Sequence, residues 1–169
     1  IVGMKSGGQR AIVIPSNIAY GSQGMGPVPP NSSIRVLVEL VSTKEAITAK
    51  MWDIDSTLFK TTASGLKYAI IKEGEGELVI KEKQTTVHYS GFLLDGTRFD
   101  SSVERDEPFT FVAGVGQVIP GWDEGVQLMK KGSKAKFIIP SNLAYGDRDL
   151  GKIPPNSTLI FDVEVLDVK

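Results

Sequence analysis

The chain has 169 residues, 41% of them hydrophobic and 23% charged, with a formal net charge of −1 and no cysteine. That length holds one domain of ordinary size and part of a second, and the balance is that of a globular protein with a packed core. The absence of a basic excess or a long run of like charges argues against nucleic acid. No window approaches the roughly 18 apolar residues of a membrane span, and the lack of cysteine removes disulfides, thiol nucleophiles and thiolate metal sites while leaving cytosol and periplasm open.

The opening residues IVGMKSGG carry neither a start methionine nor a signal peptide, so the expectation is that the true N-terminus has been removed. Residues 1–44 then repeat at the far end of the chain. Set against residues 126–169 at an offset of 125, they agree at about 18 positions, in the blocks Ile14-Pro15-Ser16-Asn17, Ala19-Tyr20-Gly21 and Pro29-Pro30-Asn31-Ser32. A solenoid stacks three or more units at a period of about 20 to 50 residues, whereas two copies this far apart have the spacing of whole domains. Residues 1–44 are therefore expected to be the C-terminal portion of a first domain, residues 45–62 a linker, and residues 63–169 a complete domain. Within the linker Met51, Trp52, Ile54, Leu58 and Phe59 are apolar enough to pack on a neighbour as a short helix.

From Gly65 onward the signals are those of short strands: LKYAIIKEG, QTTVHYSGFLLDG, FTFV, SKAKFIIP and STLIFDVEVLDV, punctuated by Gly74 and Gly76, Asp95-Gly96, Gly114 and Gly116, and Pro154-Pro155. In the last of them Leu159, Phe161, Val163 and Val165 share one face, and Asp162 and Glu164 lie on the other, which is expected to be wet. One short helix begins near Pro120 and runs through Trp122 to Met129, with acids in its first turn and Gly132 beyond its end. Several antiparallel strands around one helix make an α+β fold. His88 is the only histidine and has no second ligand, so it reads as a strand residue and neither a catalytic triad nor a zinc site is expected. Asp123 and Glu124 are consecutive on the helix, do not face one another, and read as first-turn acids.

VHYSGFLLDGTRFDSS, GQVIPGWDEGVQLMKKGSKAKFIIP, AYG and IPPNSTLIFDVEVLDV resemble, in order and spacing over roughly residues 63–169, the FKBP family of peptidyl-prolyl cis/trans isomerases, the macrolide-binding immunophilins. ASGLKYAIIKEGEG further resembles the bacterial branch, which favours the cell envelope or periplasm over the cytoplasm. The resemblance implies a bent sheet wrapped on the helix, with a small apolar pocket for a proline ring between them. It places Tyr89, Phe99, Asp100, Trp122 as the floor, Tyr145 and Phe161 in catalytic positions. Arg105, Phe109, Gln117, Val118, Ile119 and Ile153 fall at substrate-binding positions, with Arg105 supporting Asp100. Gln117 stands where some members have an acid, and the loop from Tyr145 to Pro154 is a residue shorter than in some relatives.

The implied activity is rotation of Xaa-Pro bonds in proline-containing polypeptides, assisting protein folding, with macrolides as further ligands and no cofactor or metal. A different class of function, a protein-binding or chaperone module with little turnover, remains as the alternative. Residues 1–44 keep Tyr20 and Val28 but carry Val36 in the place of Phe161 and lack the strands of the other pocket walls. The copy cannot make a pocket alone. Its strands are expected to pair with an upstream fragment of a tandem protein or, failing that, with a swapped neighbouring chain.

Overall fold

The computed structural model describes residues 2–41 and 48–169; the last residues of the repeat and the first of the expected linker, 42–47, lie outside the described residues. Two compact units result, Ile1–Ala46 and Ile47–Lys169.

The first unit is an antiparallel ribbon of β1 (Gln9–Ile14) and β2 (Ile34–Glu39), with Gln9 opposite Glu39 and Ile14 opposite Ile34. Alternation places Ile12, Ile14, Ile34, Val36 and Val38 on a half-buried face and Val13 and Leu37 on an exposed one. Among its described residues none is fully buried, since two strands alone cannot enclose a core.

The second unit contains β3 (Lys60–Thr61), β4 (Lys67–Lys72), β5 (Gln84–Leu93), β6 (Arg98–Ser101), α1 (Ser102–Arg105), β7 (Phe109–Val112), α2 (Pro120–Val126), β8 (Lys134–Ile139) and β9 (Leu159–Val168). Its antiparallel sheet runs β3-β4-β8-β9-β5-β6, with β7 pairing the first half of β5. This is the α+β arrangement the strand pattern predicts. Val87, Phe137, Ile139, Leu159 and Val163 form the fully buried inner face, covered by Val126 and Met129.

The helix sits close because two glycines face the sheet. A Cβ on Gly125 would lie 2.9 to 3.1 Å from the Phe137 ring, and one on Gly121 would collide with Ile139. The helix is also shorter than expected. Leu128 and Met129 close tighter turns onto Gly125 and Val126, and the Met129 carbonyl is taken by Val79 N–H at 2.9 Å, which draws the chain off the helix axis.

Three elements lie beyond the expected set: β3, which falls at the end of the expected linker and pairs with β4, and β6 and α1, which follow one another. Ser101 caps α1 by accepting from Glu104 N–H at 3.3 Å, and Asp106 ends the turn in the left-handed region at φ 55°. Ser101 and Glu104 stand at capping-box spacing, so the signal was present in the sequence.

The outer face of β9 departs from the wet face expected of it. Asp162 is buried, and its carboxylate accepts from Trp52 N–H at 2.7 Å. Residues 48–54 cross this face: Ala49 N–H donates to Glu104 and Arg98 donates to the Ala49 carbonyl. Met51, Trp52, Ile54 and Phe59 are half-buried as an irregular strap, with a single 3-10 turn at Ser56–Leu58 in place of a helix. Beneath the strap Lys136 meets Asp162 at 2.5 Å, off the line of a hydrogen bond, and Lys136 Nζ has no hydrogen-bond partner among the described residues. Burial pushes the Asp162 carboxyl above its ordinary value, against the pull of Lys136 and the Trp52 amide.

Removing one member of a buried ion pair leaves the other uncompensated. Lys136→Met is expected to lower stability in denaturant melts by about 3–5 kcal/mol, and Lys136→Met with Asp162→Leu to recover most of that loss. A double variant as unstable as the single would show that the packing of the strap, and not the stranded charge, sets the cost.

Candidate active site

Between the helix and the open end of the sheet lies a cavity of about 430 Å³. Trp122 forms its floor from the first turn of α2, where Pro120 at the helix start fixes the entry of the chain. The indole stands edge-on to Tyr89 at 5.1 Å and 90° between ring planes, and to Phe161 at 5.2 Å and 87°. Phe99 meets Phe161 edge-on at 5.5 Å, and Phe109 closes the side opposite Phe99 at 6.0 Å from Tyr89. Edge-on contacts of this kind stabilise aromatic clusters by about 0.5–1.5 kcal/mol each beyond area burial, so the walls are preset.

Each wall has a local cause. Tyr89 is fixed where β5 turns its backbone to the buried Ser102 hydroxyl, which accepts from Tyr89 N–H at 2.7 Å and also lies 3.0 Å from His88 Nδ1. His88 is thus a strand residue tied to α1. Asp123 accepts from Gly114 N–H at 2.9 Å and Gly116 N–H at 2.7 Å, both glycines having positive φ, and so anchors the loop that presents Gln117, Val118 and Ile119. Gln117 Oε1 accepts from Val112 N–H at 2.8 Å. A 3-10 turn at Ser141–Leu143, closed by Gly146 N–H on the Ser141 carbonyl at 2.9 Å, carries Tyr145 to the opposite rim. Among the described residues nothing hydrogen-bonds the Tyr145 hydroxyl, which leaves it available to a ligand.

The polar side of the cavity is a single network. Tyr89 Oη donates to Asp100 in a short contact, Arg105 Nη1 donates to the same carboxylate, and Arg105 Nη2 donates to Tyr89 Oη at 3.3 Å. Burial works against the charge on Asp100, but Tyr89, Arg105 and Ser101 N–H outweigh it and hold the carboxyl below its ordinary value. Burial first, and then the hydrogen bond to Asp100, push the Tyr89 phenol up to about 12. Tyr89 is therefore a donor across the physiological range and Asp100 an anion.

Of the positions expected from sequence, Tyr89, Phe99, Asp100, Phe109, Gln117, Val118, Ile119, Trp122, Tyr145 and Phe161 all line this cavity. Arg105 acts from outside the lining through Asp100. Ile153 does not line it: Leu150 N–H on the Ile153 carbonyl closes a tight loop, and the side chain is buried in the core. Sequence reading missed Gly116, Pro120, Ala144 and Arg148 in the lining, and Phe111, which stacks beneath Phe109 at 5.4 Å and meets Trp122 at 5.8 Å. The strict alternation of FTFV was the available sign that Phe109 and Phe111 share a face.

A family model for FKBP-type peptidyl-prolyl cis-trans isomerases matches residues 1–41 and 52–166. The chain is 54% identical over 110 residues to the FKBP-type peptidyl-prolyl cis-trans isomerase FkpA of Aeromonas hydrophila, covering 65% of this chain and 40% of that protein. It is 54% identical over 99 residues to an FK506-binding protein of Neisseria meningitidis, covering 58% of this chain and 91% of that protein. The crystal structure of FkpA from Escherichia coli matches at a TM-score of 0.64 and 47% identity over 68% of this chain and 53% of that one; AtFKBP13 matches at 0.64 and 40% over 66% and 98%. The match spans only 40 to 42% of the length of the curated FkpA sequences and 53% of the FkpA crystal chain.

Gly91 has rings on its doorstep: a Cβ there would lie 2.6 Å from Phe99 and 2.9 Å from Phe161. Gly91→Ala is expected to displace both rings, to cost about 1–3 kcal/mol in denaturant melts and to change tryptophan fluorescence; unchanged fluorescence would place the added methyl elsewhere. Because the folded pKa of Asp100 is lowered from 3.8, its contribution to stability is full above about pH 4 and lost as pH falls below that. Tyr89 has the opposite sign, contributing fully below pH 10 and losing its contribution as pH rises toward 12. Between these windows the Tyr89 and Asp100 resonances in an NMR titration are expected to stay constant.

Proposed function

The chain belongs to the FKBP-type peptidyl-prolyl cis-trans isomerase family, and from that membership we propose that residues 63–169 form a complete isomerase domain that accelerates rotation of Xaa-Pro bonds in protein substrates and so assists folding. The observation that carries this reading is the aromatic cavity floored by Trp122, with a Tyr145 hydroxyl at its rim that has no hydrogen-bond partner among the described residues.

The uncatalysed barrier of roughly 18–20 kcal/mol comes from amide resonance, and rotation takes about 10–100 s. Twisting the C–N bond removes part of the amide's charge separation, so walls of Tyr89, Phe99, Trp122 and Phe161 favour the twisted state over the planar one. Tyr145 donates to a substrate carbonyl and orients it, while Asp100, held ionised by Arg105, keeps the polar edge of the site fixed. Phe109, Gln117, Val118 and Ile119 grip the chain on either side of the proline. Each tenfold gain needs only about 1.4 kcal/mol of differential contact, so a few such contacts supply several decades. Macrolides of the immunophilin class are proposed for the same cavity, supported by the relative described as an FK506-binding protein.

Residues 1–44 are, in this reading, the closing hairpin of another fold of the same family, joined through residues 45–62. The support is register: β1 and β2 pair as β8 and β9 do, with Gln9 opposite Glu39 as Lys134 is opposite Glu164, and Ile14 opposite Ile34 as Ile139 is opposite Leu159. The connecting loops share their turns, with Gly21 N–H on the Ser16 carbonyl at 2.8 Å and Asn31 N–H on the Gly21 carbonyl at 2.8 Å, echoed at Gly146 and Asn156 at 2.9 and 2.7 Å. The half-buried face of the ribbon calls for a helix and strands like those covering β8 and β9. A second copy offers no free face of that kind, because its own β8 and β9 already fill it, which favours an upstream fragment over a swap.

Exchange NMR on a short Xaa-Pro peptide is expected to show faster interconversion with the chain than without it. Trp122→Ala is expected to lower kcat/KM by at least about tenfold while retaining a cooperative melt; absence of acceleration at high protein concentration would leave a binding module. For the hairpin, sedimentation is expected to give a monomer with rapidly exchanging amides in residues 9–14 and 34–39. A dimer with those amides protected would favour swapping.

A further inference from the structure

Resting on the isomerase reading, we propose that Arg148 is a specificity-determining residue that recognises an acidic side chain next to the substrate proline. Of the cavity-lining residues among those described, Arg148 carries the only positive charge and Asp100 the only negative one. Asp100 is neutralised by Arg105, and Gln117 is neutral with its carbonyl oxygen occupied by Val112 N–H. Arg148 has no such partner: among the described residues no carboxylate lies within ion-pair distance of it. Its guanidinium is held over the Tyr145 ring at 5.9 Å, with Nε donating to the Tyr145 carbonyl at 3.2 Å, and this leaves its terminal nitrogens free. The flanking Asp147 and Asp149 are exposed and do not line the cavity; Asp149 accepts from Gly151 N–H at 2.8 Å and is committed to its own turn.

A structural role for Arg148 is met by a control inside the chain. The corresponding position of the first copy is Gln23, and that loop closes with the same bonds, Met25 N–H to the Val28 carbonyl at 3.0 Å against Leu150 N–H to the Ile153 carbonyl at 3.1 Å. The loop therefore forms without arginine. What arginine adds is a fixed cation beside Tyr145, whose hydroxyl has no hydrogen-bond partner among the described residues. A carboxylate on the residue before or after the proline then meets both a guanidinium and an apolar ring pocket in one pose.

The test compares kcat/KM, by exchange NMR at low salt, for short peptides carrying Glu, Gln or Lys immediately before or immediately after the proline. A Glu-to-Gln ratio of about five on at least one side, residing in KM and shrinking as salt rises, is expected. Arg148→Gln is expected to bring that ratio to about one, and Arg148→Lys to retain part of it, with melts of both variants showing the fold intact. A ratio near one in the unaltered chain on both sides, or a ratio that survives Arg148→Gln, overturns the assignment. Failure to accelerate even the Gln peptides overturns the isomerase reading and this proposal with it.

Discussion

The site depends on how near α2 can come to β8. Gly121 and Gly125, one helical turn apart, remove the side chains that would otherwise hold the helix away from Ile139 and Phe137. Trp122 lies between them in sequence and is thereby set at the depth of the sheet's own rings, where Phe161, Tyr89 and Phe111 can meet its edge and face. A helix displaced by a methyl's width would open gaps along every one of those contacts, and interiors at crystal-like density tolerate such gaps poorly. The short helix, its proline start and its early exit at Val126 all serve this one approach.

Polar groups around the cavity are settled in advance in the same way. Asp100 is bound by a phenol, a guanidinium and a backbone amide, and Asp123 by two loop amides, so neither carboxylate has to reorganise when a ligand enters. Among the described residues, the cavity groups left with spare hydrogen-bonding capacity include the Tyr145 hydroxyl and the terminal nitrogens of Arg148, both on the loop after β8. A rigid aromatic cup with adaptable donors on one side suits a catalyst that must hold a chain loosely enough for its backbone to turn.

Much of this was legible from residues alone. The α+β class followed from strand alternation and one glycine-flanked helix, and ten of the twelve expected site positions line one cavity. What escaped had physical reasons. Ile153 stands beside the pocket in sequence, but its side chain is buried in the core and does not line the cavity, a direction that spacing does not encode. Arg148 lies among loop residues whose pattern carries no periodicity. Asp162 falls on the polar phase of an alternating strand, and only the strap from residues 48–54, distant in sequence, takes that phase out of water. Local pattern gives the phase of an element, but long-range cover decides which phase stays dry.

The buried pair under that strap acquires meaning when the two copies are laid over one another. The positions of Lys136 and Asp162 correspond in the first unit to Ala11 and Leu37, again directly opposite in the register. One polypeptide thus carries both the ionic and the apolar solution to the same cross-strand site. The inner faces of the two hairpins keep the same phase of apolar residues, and their backs have gone separate ways. The back of the second holds a carboxylate that grips the chain leading into its domain through Trp52, and the back of the first exposes Leu37, which has no means of gripping a backbone amide. On the reverse side of the sheet, remote from the aromatic cavity, the second hairpin presents a charged group where the first presents an apolar one.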